Sequence, residues 1–363
     1  MDALTLPWQS LRKACRHIPR RHGAAYIGWV GRSNLGDEAM FEATSRLFAP
    51  IPLYLARRGR GLLSTLLREC PQLAMLGGGT LVGGPPYGHK LASLLERGVP
   101  AIVFGTGVRL VDFWRAIGDQ KTELESWREP LKACRYVGVR GPDSVASLAA
   151  IGIEAELLGD PAVQFVQSAD FHHPRPRTLG VNIGCARGLL WGREEQMLDG
   201  LVEFLRRRLG EGWLPEYFVV WPSDNRPTLE VIRRVGQRRP RIHRVYHDAG
   251  DYLQRVRRLQ VFIGVKLHSV MLAMCAGVPS LMVAYRPKCL DFMKSVDMQG
   301  FSVRSDQITP ETLGTAWELL QERGQEVARH VLSRLRAYRD LQCQRAACLG
   351  EGRHSPASGS GEW

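Results

Sequence analysis

The stretch Val261–Lys288, VFIGVKLHSVMLAMCAGVPSLMVAYRPK, decides how the chain is read. Val261–Gly264 is a short apolar run with β-branched residues, which predicts a buried strand. Ser269–Ala276 is apolar and fits a buried helix. Gly277-Val278-Pro279 stops it, and Ser280–Ala284 predicts the next strand. Polar groups fall at the two strand ends: Lys266 and His268 after the first, Arg286 and Lys288 in a basic loop after the second. Ligands of open parallel sheets bind outside the carboxyl ends of strands. Cations and a histidine there, beside a helix N-terminus, describe a site for an anion such as a phosphate or carboxylate. The same residues also fit a capped helix with solvated cations.

Outward from this unit the alternation of strands and helices continues through both halves. In the first half, strands are predicted at Ala24–Val30, Leu73–Leu76, Ala101–Gly105 and Tyr136–Val139. Each ends in glycine or a polar turn. Gly31 to Ala39, GRSNLGDEA, follows the first strand and opens a helix. It lacks both GxGxxG and a GK[ST] ending, so neither a dinucleotide fingerprint nor a Walker loop is present. Asp37 and Glu38 favour the helix dipole there, or bind sugar hydroxyls or orient a base. Gly77-Gly78-Gly79 and Gly105-Thr106-Gly107 allow close approach of backbone to a ligand or a neighbouring loop. Pro85 to His89 reads as loop, Lys121–Cys134 as mostly helical. Arg140 ends a strand and projects to the same rim.

Residues 168–177, SADFHHPRPR, read as a linker. The second half predicts strands at Leu179–Ile183 and Tyr217–Trp221, helices at Glu195–Leu209, Leu229–Val235 and Tyr252–Leu259, and a long charged helical region over Thr309–Leu349. The expected organisation is a basic N-terminal arm (1–22), a Rossmann-like domain (23–167), the linker, a second Rossmann-like domain (178–308), C-terminal helices (309–349) and a disordered tail (350–363). This is an α/β chain with two Rossmann-like sheets facing across a cleft.

Composition narrows the partners. The 363 residues carry a formal charge of +13 with 44% hydrophobic residues, enough to bury two cores and suited to an anionic partner. Nucleic acid is not expected, because no helix-turn-helix, zinc-finger, RNP or KH pattern occurs. The eight cysteines form no CxxC pair and no zinc spacing, which predicts reduced thiols, no metal site and a cytoplasmic protein. No apolar run reaches membrane-spanning length, though the basic surface suits peripheral contact with an anionic membrane.

Taken in order, N-L-G-D-E-A after the first strand, L-G-G-G-T-L, V-R-G-P-D-S, G-D-P-A, then K-L-H-S with A-G-V-P and Y-R-P-K resemble the polysaccharide pyruvyl transferase family over residues 24–300. That resemblance implies a GT-B-like fold. It implies transfer of the enolpyruvyl group of phosphoenolpyruvate onto two hydroxyls of a sugar, giving a pyruvate ketal and phosphate, without a cofactor. The acceptor is then a sugar in a glycan or lipid-linked glycan, and the role exopolysaccharide or cell-envelope biosynthesis. The family's Arg-Leu-His donor motif falls on Lys266, Leu267 and His268, with lysine where arginine is usual, and its other donor arginine on Arg140.

The chemistry asks for matching groups. Phosphoenolpyruvate carries roughly three negative charges, so Arg140, Lys266, Arg286 and Lys288 are the expected donor ligands. A proton must reach the enol methylene carbon, and His268 is the expected general acid. Asp37 is expected to orient or deprotonate the acceptor hydroxyl. Asn34, Gly36, Glu38, Gly78, Gly79 and Gly105 are expected to line the acceptor side. Two other readings stay open: a GT-B glycosyltransferase using a nucleotide sugar, and a non-catalytic family member. The first is weakened because Leu272–Pro279 lacks the acidic residue that holds a nucleotide ribose.

Overall fold

The computed structural model describes residues 21–56, 71–119 and 123–350, so the expected N-terminal arm and tail lie outside the described residues, except for their edges. Two all-parallel sheets form. The first contains β1 (Arg21–Ile27), β2 (Leu53–Leu55), β3 (Pro71–Leu76), β4 (Thr80–Val82), β5 (Ala101–Val108), β6 (Tyr136–Val139) and β7 (Glu156–Leu157). Its order is β2-β1-β3-β5-β6-β7, with β4 paired to β5. The second contains β8 (Thr178–Asn182), β9 (Leu214–Val219), β10 (Arg241–Arg244), β11 (Val261–Gly264), β12 (Ser280–Ala284) and β13 (Ser302–Arg304), in the order β10-β9-β8-β11-β12-β13.

These orders place the site. In each sheet the chain reverses its direction of travel beside its first strand, between β1 and β3 and between β8 and β11. A crevice opens outside the carboxyl ends of strands at such a switch point. The turns that fill the two crevices are 28–34 and 77–79 in the first sheet, 183–189 and 265–268 in the second. They hold Asn34, Gly78, Gly79, Lys266 and His268. Strands β5, β6, β8, β11 and β12 are buried along their whole length, as parallel strands covered by helices on both faces must be.

Six helices carry or brace the site: α1 (Leu35–Leu47), α2 (Pro85–Leu95), α3 (Pro142–Ala149), α4 (Leu267–Cys275), α5 (Pro287–Ser295) and α6 (Pro310–Gly350). Leu35, Ala39, Met40 and Ala43 of α1 share one buried apolar cluster with Leu267, Val270 and Met271 of α4. The dry contact between the halves therefore brings the N-termini of α1 and α4 together. Helix α6 straps the halves from behind. Its Trp317 packs in the second core and its Ala346 in the first. Arg345 makes a two-pronged bond to Glu156, with Nη2–Oε1 at 2.7 Å and Nε–Oε2 at 2.8 Å.

Several sequence expectations change. Pro85 to His89 is the first turn of α2, not loop, and the basic loop after Ala284 is only two residues long before α5 begins. In both helices proline occupies the first turn, where its fixed φ and missing N–H cost nothing. Within Lys121–Cys134 the described residues are mostly helical, as expected: a 3₁₀ turn at Glu125–Trp127 runs directly into a helix at Arg128–Lys132. Strand β5 runs on past Gly105 to Val108, and strand β4 occupies the second half of the glycine-rich stretch. The described cysteines are all free. Among the described residues no helix is long and apolar enough to cross a membrane.

Candidate active site

Three helix N-termini meet at the cleft floor. Asn34 caps α1, its Oδ1 accepting from Gly36 N at 3.3 Å. Lys266 and Arg286 occupy the cap positions of α4 and α5. The N-termini of α4 and α5 carry no side-chain cap, and all three present the positive end of a dipole, so the floor favours an anion before any side chain is counted. The N-terminus of α3 is already used. Asp291 of α5 crosses the cleft to accept from Asp143 N and Ser144 Oγ, both at 2.7 Å.

His268 stands between the halves. Its Nε2 lies 3.2 Å from Asp160 Oδ2, on the loop that follows β7. Its Nδ1 faces Gly36, where a Cβ would come within 2.1 Å. Gly36 is therefore a close-approach glycine, and the tip of α1 fits only around this imidazole. Asp160 also accepts from Arg140 Nη1 at 3.3 Å through the same oxygen, while its Oδ1 caps the next turn at Ala162 N, 2.9 Å. Burial by itself pushes this carboxyl up. The charge and hydrogen bond of His268, then Arg140 and the Ala162 N–H, outweigh burial and hold it below the ordinary carboxylate range. Asp160 was not singled out from the sequence. Its G-D-P-A setting reads as a helix cap, and nothing local points to partners at positions 140 and 268.

Arg140 is 1% exposed and also donates from Nη2 to Thr80 Oγ1 at 3.1 Å. It offers the cleft a charge behind Asp160 rather than an open fork. Its Nε is buried without a partner. Lys266 is nearly covered too. Its ammonium donates to the Cys185 carbonyl at 2.8 Å, stands 3.5 Å from buried Asp224 and lies 4.9 Å from the Trp221 ring centroid. Arg286 grips the same loop, donating to Leu189 O at 2.7 Å and Ala186 O at 3.1 Å. Lys288 is different. Among the described residues no carboxylate lies within ion-pair distance of it, and its ammonium sits 5.3 Å from the Tyr285 ring centroid. Lys266 and Arg286 flank that ring as well. Burial would raise the Tyr285 phenol, but Lys288, Arg286 and Lys266 together pull it below its usual value. Leu267 is buried, so its side chain belongs to the core and only its backbone borders the site.

On the opposite wall Asp37 is partly buried in the first turn of α1. Burial raises its carboxyl to about 7, with Glu38 and Asp160 pushing the same way and Lys288 and Lys266 opposing. A carboxyl poised there switches between acid and base near neutral pH. Glu38 instead ties down its own loop, accepting from Gly31 N at 2.9 Å and Arg32 N at 3.2 Å. Gly79 adopts φ +114° beside Asp37. Gly78 and Gly105 answer to packing: a Cβ would collide with Met40 at the first and Pro161 at the second. The sequence reading also passed over the aromatic rings beside the site's cations, Trp114 and Tyr285 next to Arg286 and Trp221 next to Lys266.

Two facing parallel sheets with the site in the cleft define the class: a GT-B-like fold. A Listeria monocytogenes protein described as a UDP-N-acetylglucosamine 2-epimerase superposes with a TM-score of 0.60 at 14% identity, covering 91% of this chain and 96% of that one. The UDP-GlcNAc 2-epimerase of Methanocaldococcus jannaschii gives 0.56 at 12%, covering 85% and 98%. The glycosyltransferase of kitacinnamycin gives 0.50 at 12%, covering 92% and 99%. At such identities the likeness establishes fold alone. The polysaccharide pyruvyl transferase family model matches residues 34–287, well over half of the chain, and the protein belongs to that family. No curated protein matches its sequence.

Proposed function

We propose that this protein moves the enolpyruvyl group of phosphoenolpyruvate onto two hydroxyls of a sugar, releasing phosphate and leaving a pyruvate ketal. Family membership supports a transferase reaction. The observation that carries the finer reading is the pairing of His268, ordered by Asp160, with Asp37 near neutrality across a floor of helix N-termini and cations.

Protons and bonds balance as follows. His268 delivers a proton to the methylene carbon, which becomes the ketal methyl and leaves an oxocarbenium-like C2. A sugar hydroxyl forms the first new C–O bond there and loses its proton to Asp37. The second hydroxyl forms the other C–O bond as the bond from C2 to the phosphate oxygen breaks. Its proton leaves with the phosphate. Of the two hydroxyl protons, one in balance ends on the methyl and the other on phosphate. Lys288 and the N–H groups opening α4 and α5 are the donor's first contacts. Lys266, Arg286 and Arg140 supply charge and hold the loops and the carboxylate around it.

A nucleotide-sugar glycosyltransferase is the second reading, favoured by the fold. Against it, the buried segment Leu272–Pro279 carries no carboxylate for a ribose. The charge of +13 supports work at the cytoplasmic face of an anionic membrane on a lipid-linked glycan. Incubation with phosphoenolpyruvate and candidate glycans, following phosphate release and a new ketal methyl resonance, tests the proposal. Consumption of a nucleotide sugar with phosphoenolpyruvate untouched would replace it.

A further inference from the structure

The mouth of the cleft carries a second set of cations that the donor does not explain. On the first half, Arg32 lies in the turn after β1. On the second, Arg187 lies in the turn after β8. Both are exposed. Among the described residues neither has a carboxylate within ion-pair distance. Arg187 donates from Nη2 to the Ser223 hydroxyl at 2.9 Å and stacks 4.3 Å from the centroid of the Trp221 ring. Arg32 lies 5.4 Å from the Trp29 ring.

The nearby acids are already committed. Glu38 is held by the backbone of Gly31 and Arg32. Asp224 is buried between Lys266 and the Cys185 N–H, which donates to it at 2.8 Å. Glu194 accepts from Ala186 N at 3.2 Å. Two exposed guanidinium groups thus share one opening with no carboxylate within ion-pair distance among the described residues, Arg187 acting only at longer range on buried Asp224.

The two turns are also built rather than loose. Trp221 Nε1 donates to the Arg32 carbonyl at 3.2 Å, and Leu35 N donates to Val220 O at 3.0 Å, so the lips are bonded to each other across the cleft. Lys266 holds the Cys185 carbonyl, and Arg286 holds the carbonyls of Ala186 and Leu189. The loop that presents Arg187 is therefore clamped on both sides of that residue by two cations of the inner site. Of the four non-glycine residues with positive φ among the described residues, two are here, Ser33 at +55° and Arg187 at +53°. That conformation is uncommon outside glycine and, when observed, marks a place where the surroundings dictate the backbone.

We propose that Arg32, Arg187 and the indole of Trp221 form the acceptor subsite, and that it takes a sugar carried on a phosphate group. The indole fixes the two arginines at one opening, stacking on the Arg187 guanidinium and donating its N–H to the Arg32 carbonyl. The guanidinium groups match phosphate oxygens in fork geometry. Lys266, 4.9 Å from the same ring, connects this subsite to the donor floor. This assignment rests on the pyruvyl-transfer reading for the word acceptor, but its binding test does not.

The experiment is calorimetric titration of the full chain with glucose 1-phosphate, methyl glucoside and glucuronate, each with and without saturating phosphoenolpyruvate. Arg32→Gln/Arg187→Gln is measured beside the wild type. Glucose 1-phosphate is expected to bind at least about tenfold more tightly than methyl glucoside, in line with charge-assisted hydrogen bonds worth about twice neutral ones. Saturating phosphoenolpyruvate should leave that binding in place. The double variant should lose the preference while binding phosphoenolpyruvate as the wild type does. Equal affinity for the neutral glycoside, an unchanged double variant, or displacement by phosphoenolpyruvate would each overturn the assignment. Glucuronate binding as tightly as the phosphate would overturn the choice of phosphate over a sugar carboxylate. A protein that ignores phosphoenolpyruvate yet binds the sugar phosphate through these arginines would refute the donor reading and leave the subsite standing.

Discussion

Asp160 of the first half lies 3.2 Å from Nε2 of His268 in the second, and the same carboxylate oxygen lies 3.3 Å from Arg140. One buried oxygen therefore sets both the orientation of the proposed acid and the position of a cation 20 residues upstream of it. Asp160→Asn should lower turnover by about 10²–10⁴-fold, the usual worth of a positioned acid–base group, with a smaller change in KM for phosphoenolpyruvate. Asp160→Ala should also cost about 3–5 kcal/mol of stability, because it strands Arg140 in the core. Steady-state kinetics and denaturant melts read both. Near-normal turnover in Asp160→Asn would remove His268 from the chemistry.

Gly36 makes a sharper test of the same contact, since it touches His268 without titrating. A Cβ there would stand 2.1 Å from Nδ1. Gly36→Ala should push the imidazole off Asp160 and cost about 10²-fold in turnover, the scale of a 1 Å misplacement. Alanine suits a helix better than glycine by up to about 1 kcal/mol, so stability should fall far less than activity. Comparable losses in both would mean the glycine serves packing alone.

The pH dependence follows from Asp37. Its carboxyl is raised to about 7 in the folded chain, from an ordinary value of 3.8. As a base it must be ionised, so this group should make kcat/KM climb with pH through about 7. Stability runs the opposite way. The folded state binds this proton more tightly than the unfolded chain, so the contribution is fully present below the unfolded value. It is lost as pH rises from about 4 to about 7. Asp37→Asn should flatten that part of the melting profile and abolish the kinetic rise.

Gln342, fully buried on α6, donates to the carbonyls of Leu158 at 3.2 Å and Asp160 at 3.1 Å. Gln342→Ala leaves those carbonyls without that donor, an expected cost of about 1–3 kcal/mol. Because Asp160 moves with its carbonyl, turnover should fall although residue 342 lies behind the site. Gln342→Glu replaces an amide donor with a carboxylate and should not rescue it.

What the sequence made legible was the part governed by local pattern. Strands β6, β11 and β12 fall where short apolar runs end in glycine, arginine or tyrosine, because burial on both faces needs an unbroken run. The turns at 31–39 and 77–79 and the Lys266–His268 segment were visible as strand-end motifs, and sheet order explains why they face each other. Helices α2 and α5 were misread because proline in a first turn resembles proline in a loop until the backbone is seen. Asp160, Trp221 and Arg187 were missed for another reason. Each looks local in sequence, as a cap, a strand end and a loop cation. Each acquires its role from a residue on another strand or in the other half, and no periodicity carries that information.

The central claim is that phosphoenolpyruvate is protonated at its methylene carbon by His268 and trapped by a sugar diol. The direct measurement is the reaction with phosphoenolpyruvate and a glycan panel in deuterated water, followed by NMR and phosphate release. The account predicts phosphate release matched by a ketal methyl bearing one deuterium, with His268→Gln reducing both by about 10²–10⁴-fold. Undiminished ketal formation in His268→Gln, or a nucleotide sugar consumed while phosphoenolpyruvate stays intact, would contradict it.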